Sequence, residues 1–219
     1  MPKETFYNLP QDKRQRILNV AVTEFAANPY DVASISEIVR KAGIAKGSFY
    51  QYFEDKKDLY HTLIEYATEE KRALLDKLPV SDMNGDLFSY FRHQFLANVI
   101  FEVHHPMLAQ IIFRAFVEEI PFPEMTEELR RRGTTQFFKQ LITQGILHGD
   151  VAHWVDPDMA AFMLETVFYQ FGKYFINRLG LTNTEDLDLS LFEDDQAQQL
   201  MDNLMEIIEG GMKANPENR

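Results

Sequence analysis

A chain of 219 residues, 45% of them hydrophobic, is long enough for one or two compact domains with a substantial core, and its lack of cysteine excludes disulfide frameworks, thiolate metal sites and cysteine nucleophiles. The N-terminal stretch "MPKETFYNLPQDKRQR" holds no apolar h-region and purely apolar runs such as "VIF", ending at Phe101, are short, so neither a secretory signal nor a membrane span is expected and the chain reads as cytoplasmic. The formal net charge is -12, but residues 1–58 carry 9 Lys/Arg against 8 Asp/Glu and residues 59–219 carry 13 against 26, so a polyanion is repelled by everything except the N-terminal part.

Helical periodicity recurs along nearly the whole chain and no sustained run alternates as strands do, which predicts an all-α fold of about nine helices. The first runs from Pro10 to about Ala27, with Ile17, Leu18, Ala21, Val22 and Phe25 as its apolar stripe and Pro29 as its stop. "SISE" opens the second as a capping box, in which the Ser34 hydroxyl accepts from the Glu37 amide while the Glu37 side chain reaches back. Ile35, Ile38, Val39 and Ala42 form its buried face, and Gly43 closes it in a left-handed conformation.

A short third helix, "AKGSFYQYF", follows. Phe49 and Phe53 lie four apart and share one face, so Gln51 falls opposite them, with Gly47 and Ser48 beside it and Tyr50 and Tyr52 on the two flanks. Asp55 caps a long fourth helix, "KKDLYHTLIEYATEEKRALLDKL", whose core side is Leu59, Leu63, Ala67 and Leu74. Pro79 and "SDMNGD" break the chain. Five further helices are predicted at about 84–103, 106–120, 124–148, 157–179 and 195–212, punctuated by Pro106, Pro121, Pro123, Gly149 and Pro157, with "NPENR" a frayed tail.

Two short helices joined through Gly43-Ile44 make a helix-turn-helix. On its second helix the two phenylalanines anchor, Gly47 permits close approach, Ser48 and Gln51 offer hydrogen bonds to base edges, and the phenols reach phosphates. An ordinary helical hairpin with a solvated polar face fits the same spacing. The run "ISEIVRKAGIAKGSFYQYFEDKKDLY", Ile35 to Tyr60, resembles the DNA-binding signature of the TetR family of bacterial transcription regulators. That resemblance implies operator-DNA contacts at Ser34, Lys46, Gly47, Ser48, Tyr50, Gln51, Tyr52 and Lys56, a helix-turn-helix DNA-binding domain over residues 1–54, and a helical ligand-binding and dimerisation domain over residues 55–219. Two departures stand out. Asn28-Pro29 replaces the family's usual glycine before an aromatic, and Ala33 replaces a common threonine.

Beyond Tyr60 the resemblance is architectural and implies a homodimer through the last two helices. Helix 157–179 is apolar around its whole circumference, and Ala197, Leu200, Leu204, Ile207 and Gly211 follow steps of three and four, as close helix packing requires; an intrachain core for both is the competing reading. The chain holds 18 phenylalanines, which is most simply core, but Gln94, Asn98, His105, Arg114, Glu165, Thr166 and Gln170 interrupt the aromatic faces. Apolar walls with a few polar groups describe a small-molecule site, placed here at Phe95, Met107, Ile111, Phe138, Phe162, Thr166 and Tyr169, for a mostly apolar or aromatic effector.

His104 and His105 point apart on a helix with no third ligand at a helpful spacing, so no metal and no cofactor are expected, and Arg130–Arg132 reads as a solvated face. The leading function is a ligand-responsive transcription regulator, a repressor that binds a palindromic operator as a homodimer and leaves it on binding the effector. No nucleophile–base pair or phosphate loop supports an enzyme. The alternatives are a helical small-molecule-binding or enzymatic protein that does not regulate transcription.

Overall fold

The computed structural model describes residues 2–75, 87–117, 122, 134–181 and 194–213. Ten helices are found among them: α1 (Glu4–Tyr7), α2 (Gln11–Ala27), α3 (Ile35–Ala42), α4 (Lys46–Tyr52), α5 (Lys56–Leu75), α6 (Leu87–His104), α7 (Pro106–Val117), α8 (Thr134–His148), α9 (Pro157–Arg178) and α10 (Asp195–Met212). The nine anticipated helices are all present, and α1 is the addition. Pro79 with "SDMNGD", the start of the 124–148 helix, Arg130–Arg132 and "NPENR" lie outside the described residues.

The helices form two compact units, Met1–Ala73 with His105–Pro121, and Leu74–His104 with Phe122–Arg219. The first unit therefore extends past residue 54, through most of α5, and includes α7. In it α2 packs on α3 and α7, α3 on α4, and α1 on α4. The stripe read from the sequence is its core: Ile17, Ala21, Phe25, Ile38, Phe49, Phe53, Leu59, Leu63 and Ala67 are all essentially inaccessible. Burying one such Phe, Leu or Ile side chain stabilises by about 1.5–3 kcal/mol, which is how helices as short as α3 and α4 persist where isolated peptides would not.

In the second unit α9 packs on both α8 and α6, and α10 packs on α6. Asp156 starts α9 by accepting the Met159 amide at 2.8 Å, with Pro157 in the first turn. Lys139 on α8 pairs with Asp158 on α9 at 2.6 Å, and Arg92 on α6 reaches Asp202 and Gln198 on α10. The core is aromatic. Phe168 meets Phe95 at a ring separation of 5.3 Å and Phe138 at 5.5 Å, both edge-on, and Phe91 meets Phe138 in the same way at 5.8 Å.

Among the described residues, one side of α9 is covered and the other is not. Ala160, Ala161, Leu164, Phe168, Phe171 and Phe175 are buried, while Met159, Phe162, Met163 and Tyr174 stand at least half exposed on the other side. On α10, Ala197 is buried, Leu200 and Leu204 are half-buried, and Ile207 and Gly211 are exposed.

Candidate nucleic-acid interface

The turn between α3 and α4 is built by three local devices. At the start of α3 the Ser34 hydroxyl accepts the Glu37 amide at 3.4 Å. The reciprocal half of the expected capping box is absent, because Arg40 holds the Glu37 carboxylate at 2.6 Å, and that hydrogen bond keeps it below the usual carboxylate range. The Ser34 amide donates instead to Glu24 on α2, at 3.1 Å. Glu24 is buried and also accepts from Lys41 at 3.3 Å and from the Asn28 side-chain amide at 3.4 Å. One carboxylate thereby joins both ends of α3 to α2. The signal was a charged residue in the register of an apolar stripe, between Val22 and Phe25. At the other end Gly43 has φ 67°, a region costly for residues with a Cβ, and the Ile44 amide reaches back to the Val39 carbonyl at 3.1 Å.

α4 then presents two unlike faces. Phe49 and Phe53 are inaccessible. Opposite them Lys46, Gly47, Tyr50 and Gln51 are exposed and Ser48 is half-buried. A Cβ placed on Gly47 would have nothing within 4 Å, so its surface is open to a close-approaching partner.

Two of the expected DNA-facing residues are elsewhere. Tyr52 is buried, its ring 6.1 Å from that of Phe6 and 6.0 Å from the Lys13 ammonium, because α1 folds over the flank of α4 that the spacing had left open. Lys56 is half-buried and points into the protein: its ammonium donates to the carbonyls of Tyr30 at 2.7 Å, Ala33 at 2.9 Å and Asp31 at 3.3 Å, and sits 4.5 Å from the centre of the Tyr30 ring. It fastens the segment between α2 and α3. Asp55 does cap α5, accepting the Asp58 amide at 2.8 Å.

The family description "Bacterial regulatory proteins, tetR family" matches residues 17–63, and "Tetracyclin repressor-like, C-terminal domain" matches residues 85–213. The chain belongs to the TetR family. It is a helix-turn-helix transcriptional regulator. A TetR family transcriptional regulator from Chloroflexus aurantiacus J-10-FL is 39% identical, with a TM-score of 0.85 over 98% of this chain and 100% of that one. The fatty acid metabolism regulator protein of Bacillus subtilis (strain 168) is 25% identical over 158 residues, covering 69% of this chain and 77% of that protein. A solved structure of FadR from Bacillus subtilis in complex with stearoyl-CoA shares the fold, with a TM-score of 0.63 at 16% identity over 90% of this chain and 98% of that one.

In this TetR-family chain the seven residues expected to line the effector site are divided. Met107 and Ile111 lie in the first unit on α7, which packs on α2; Ile111 is buried, and the half-exposed Met107 sulfur accepts from the Thr23 hydroxyl at 3.8 Å. Phe162 and Thr166 are on the exposed face of α9, Phe162 63% exposed, and the Thr166 hydroxyl donates to its own helix at the Phe162 carbonyl. Helical geometry puts both opposite the buried stripe. The second unit brings together only Phe95, Phe138 and Tyr169. Around them are polar groups, of which the sequence singled out Asn98 and Glu165 but not Thr134 and Thr135. The Tyr169 hydroxyl lies 2.7 Å from the Thr134 hydroxyl, and burial pushes its phenol well above the ordinary tyrosine range. Thr135 donates to Glu165 at 2.6 Å. Asn98, also buried, donates to Glu102 at 2.7 Å and to the Phe168 carbonyl at 3.0 Å.

Proposed function

We propose that this regulator binds a two-fold symmetric operator as a homodimer, with α4 in the major groove, and that a small, mostly apolar or aromatic effector in the second unit releases it. The observation that carries the reading is the exposed strip Lys46, Gly47, Tyr50 and Gln51 on a helix whose other face is fully buried. Gln51 and the half-exposed Ser48 read base edges, while Lys46 and Tyr50 hold phosphates, which position the protein without specifying sequence. Residues 1–54 are the DNA-reading part proper.

The outer face of α9, with Met159, Phe162, Met163 and Tyr174, and the outer seam of α10, with Ile207, are the surfaces that a second copy covers. An exposed apolar stripe of that length is uncommon on a monomer, and two recognition helices one turn apart match a palindrome. The effector sits beside Phe95, Phe138 and Tyr169, with Thr134, Thr135 and Glu165 as its polar contacts. It acts by binding the released and the operator-bound arrangements with different affinity. Within the first unit, α7 is tied to α2 through the Arg114 bond to the Phe25 carbonyl at 3.1 Å.

Selection from random duplex DNA, followed by a salt titration of the winning sequence, tests the reading. A symmetric site whose affinity falls steeply with salt is the expected result. No enriched site at low salt, from protein shown to be folded, overturns it. Stearoyl-CoA, held by the similar Bacillus subtilis structure, is the first effector probe, with an aromatic carboxylate series beside it.

A further inference from the structure

We infer that α1, the short N-terminal helix, is a clamp that sets the position of the recognition helix on DNA, with Lys3 and Thr5 as its positioning residues. The inference rests on the reading of α4 as the DNA-reading helix. α4 ends without a left-handed cap: Phe53 is extended, at φ -128° and ψ 148°, and its amide closes the last helical bond to the Phe49 carbonyl. The carbonyls of Tyr50, Gln51 and Tyr52 therefore have no donor within the helix, the usual state of a C-terminal turn. Each is met from the N-terminal segment. The Lys3 ammonium donates to Tyr50 at 2.8 Å, the Thr5 hydroxyl donates to Gln51, and the Lys3 amide donates to Tyr52 at 2.8 Å. Phe6, buried at 2% exposure, fixes the segment from below, with its ring 4.8 Å from that of Phe53.

The placement matters because two of the gripped carbonyls belong to Tyr50 and Gln51, the residues whose side chains face outward. A cation at a helix C-terminus also opposes the negative end of the helix dipole. α4 has seven residues, too few to hold its last turn unaided. Releasing that turn leaves Tyr50 and Gln51 to be ordered on binding, which weakens the specific complex, where Gln51 reads a base, more than binding through phosphates alone.

The test uses the full chain with Thr5→Val, Lys3→Met and Lys3→Arg. Affinity is measured for the selected operator and for random duplex across a salt series, together with amide hydrogen exchange of α4 in the free protein. The clamp predicts that Thr5→Val and Lys3→Met each bind the operator about five- to tenfold more weakly, the loss of one net hydrogen bond. Random-DNA affinity falls by less than operator affinity and the salt slope stays within error, the last-turn amides of α4 exchange faster, and Lys3→Arg recovers most of the operator affinity. Equal losses on both DNAs with a slope shallower by about one for Lys3→Met, and unchanged exchange, make Lys3 a phosphate contact and overturn the clamp. Operator affinities within twofold of the wild type overturn it as well. If the wild type selects no site, the DNA-reading assignment has failed, and the exchange measurement still decides whether α1 holds the end of α4.

Discussion

Replacing Lys56 by methionine separates two roles that the sequence left indistinguishable. As a phosphate contact, Lys56 would contribute to affinity and nothing to stability. In the structure its ammonium donates to the carbonyls of Tyr30, Ala33 and Asp31 and lies over the Tyr30 ring. Methionine keeps the length of the stem and removes the charge and all three donors. The bonds at 2.7 and 2.9 Å are short and the third, at 3.3 Å, is weak. Counting the two short bonds at about 1 kcal/mol each and the ring contact at about 0.5–1 kcal/mol, Lys56→Met destabilises the first unit by roughly 2–3 kcal/mol. Amide exchange in residues 30–34, alongside denaturant unfolding, reads this out locally, since a chain with two compact units need not unfold in one step. The salt slope of operator binding stays at the wild-type value. Wild-type exchange and stability, with a slope reduced by about one, would refute the structural role and restore the phosphate contact.

Three other outcomes follow from the same geometry. Gly47→Ala stabilises the folded protein by up to about 0.5–1 kcal/mol, because its Cβ meets nothing within 4 Å, yet it weakens operator binding at least tenfold by holding α4 off the groove; unchanged affinity in a gel-shift titration contradicts the close approach. Phe162→Glu with Met163→Glu converts the dimer to monomer by light scattering with helicity retained, since both side chains are exposed in the single chain; a persistent dimer excludes this face of α9. Burial first, then Asp55 and Asp31, raise the Tyr30 phenol to about 12, so the folded state keeps that proton after the unfolded state has lost it near 10. The stability this contributes is complete below pH 10 and is lost as pH rises toward 12, and Tyr30→Phe must reduce that loss in alkaline unfolding curves.

The helices were legible in the sequence because apolar residues recur at helical spacing and their ends carry strong signals. Gly43 and Asp55 act as their residue types demand, and Phe49 and Phe53 are as buried as their four-residue separation required. Partners were harder to read. Glu37 had Ser34 within reach in principle but Arg40 one turn away in fact, and the vacant position went to Glu24, ten residues before Ser34 in the chain. α1 escaped notice because a helix of four residues has no periodicity to detect; its contacts with α4 are made across more than forty residues of sequence.

Tyr52 and Lys56 are less exposed than their spacing suggested for one reason, and it bears on how recognition helices are read from sequence. Spacing gives the angle at which a side chain leaves a helix, not what waits there. An aromatic ring on the flank of α4 is a phosphate contact if that flank is bare and a core residue if another segment crosses it; here Phe6 crosses it. A lysine at the start of α5 serves DNA only if no nearer acceptors exist, and the turn around Tyr30 supplies three. Lys46, Gly47, Tyr50 and Gln51 differ because they project from the side of α4 away from α1 and the core, where no segment among the described residues lies over them. The exposed strip of α4 is thus narrower than the signature it sits in, and the buried Tyr52 and half-buried Lys56 are held by neighbouring segments of the same unit.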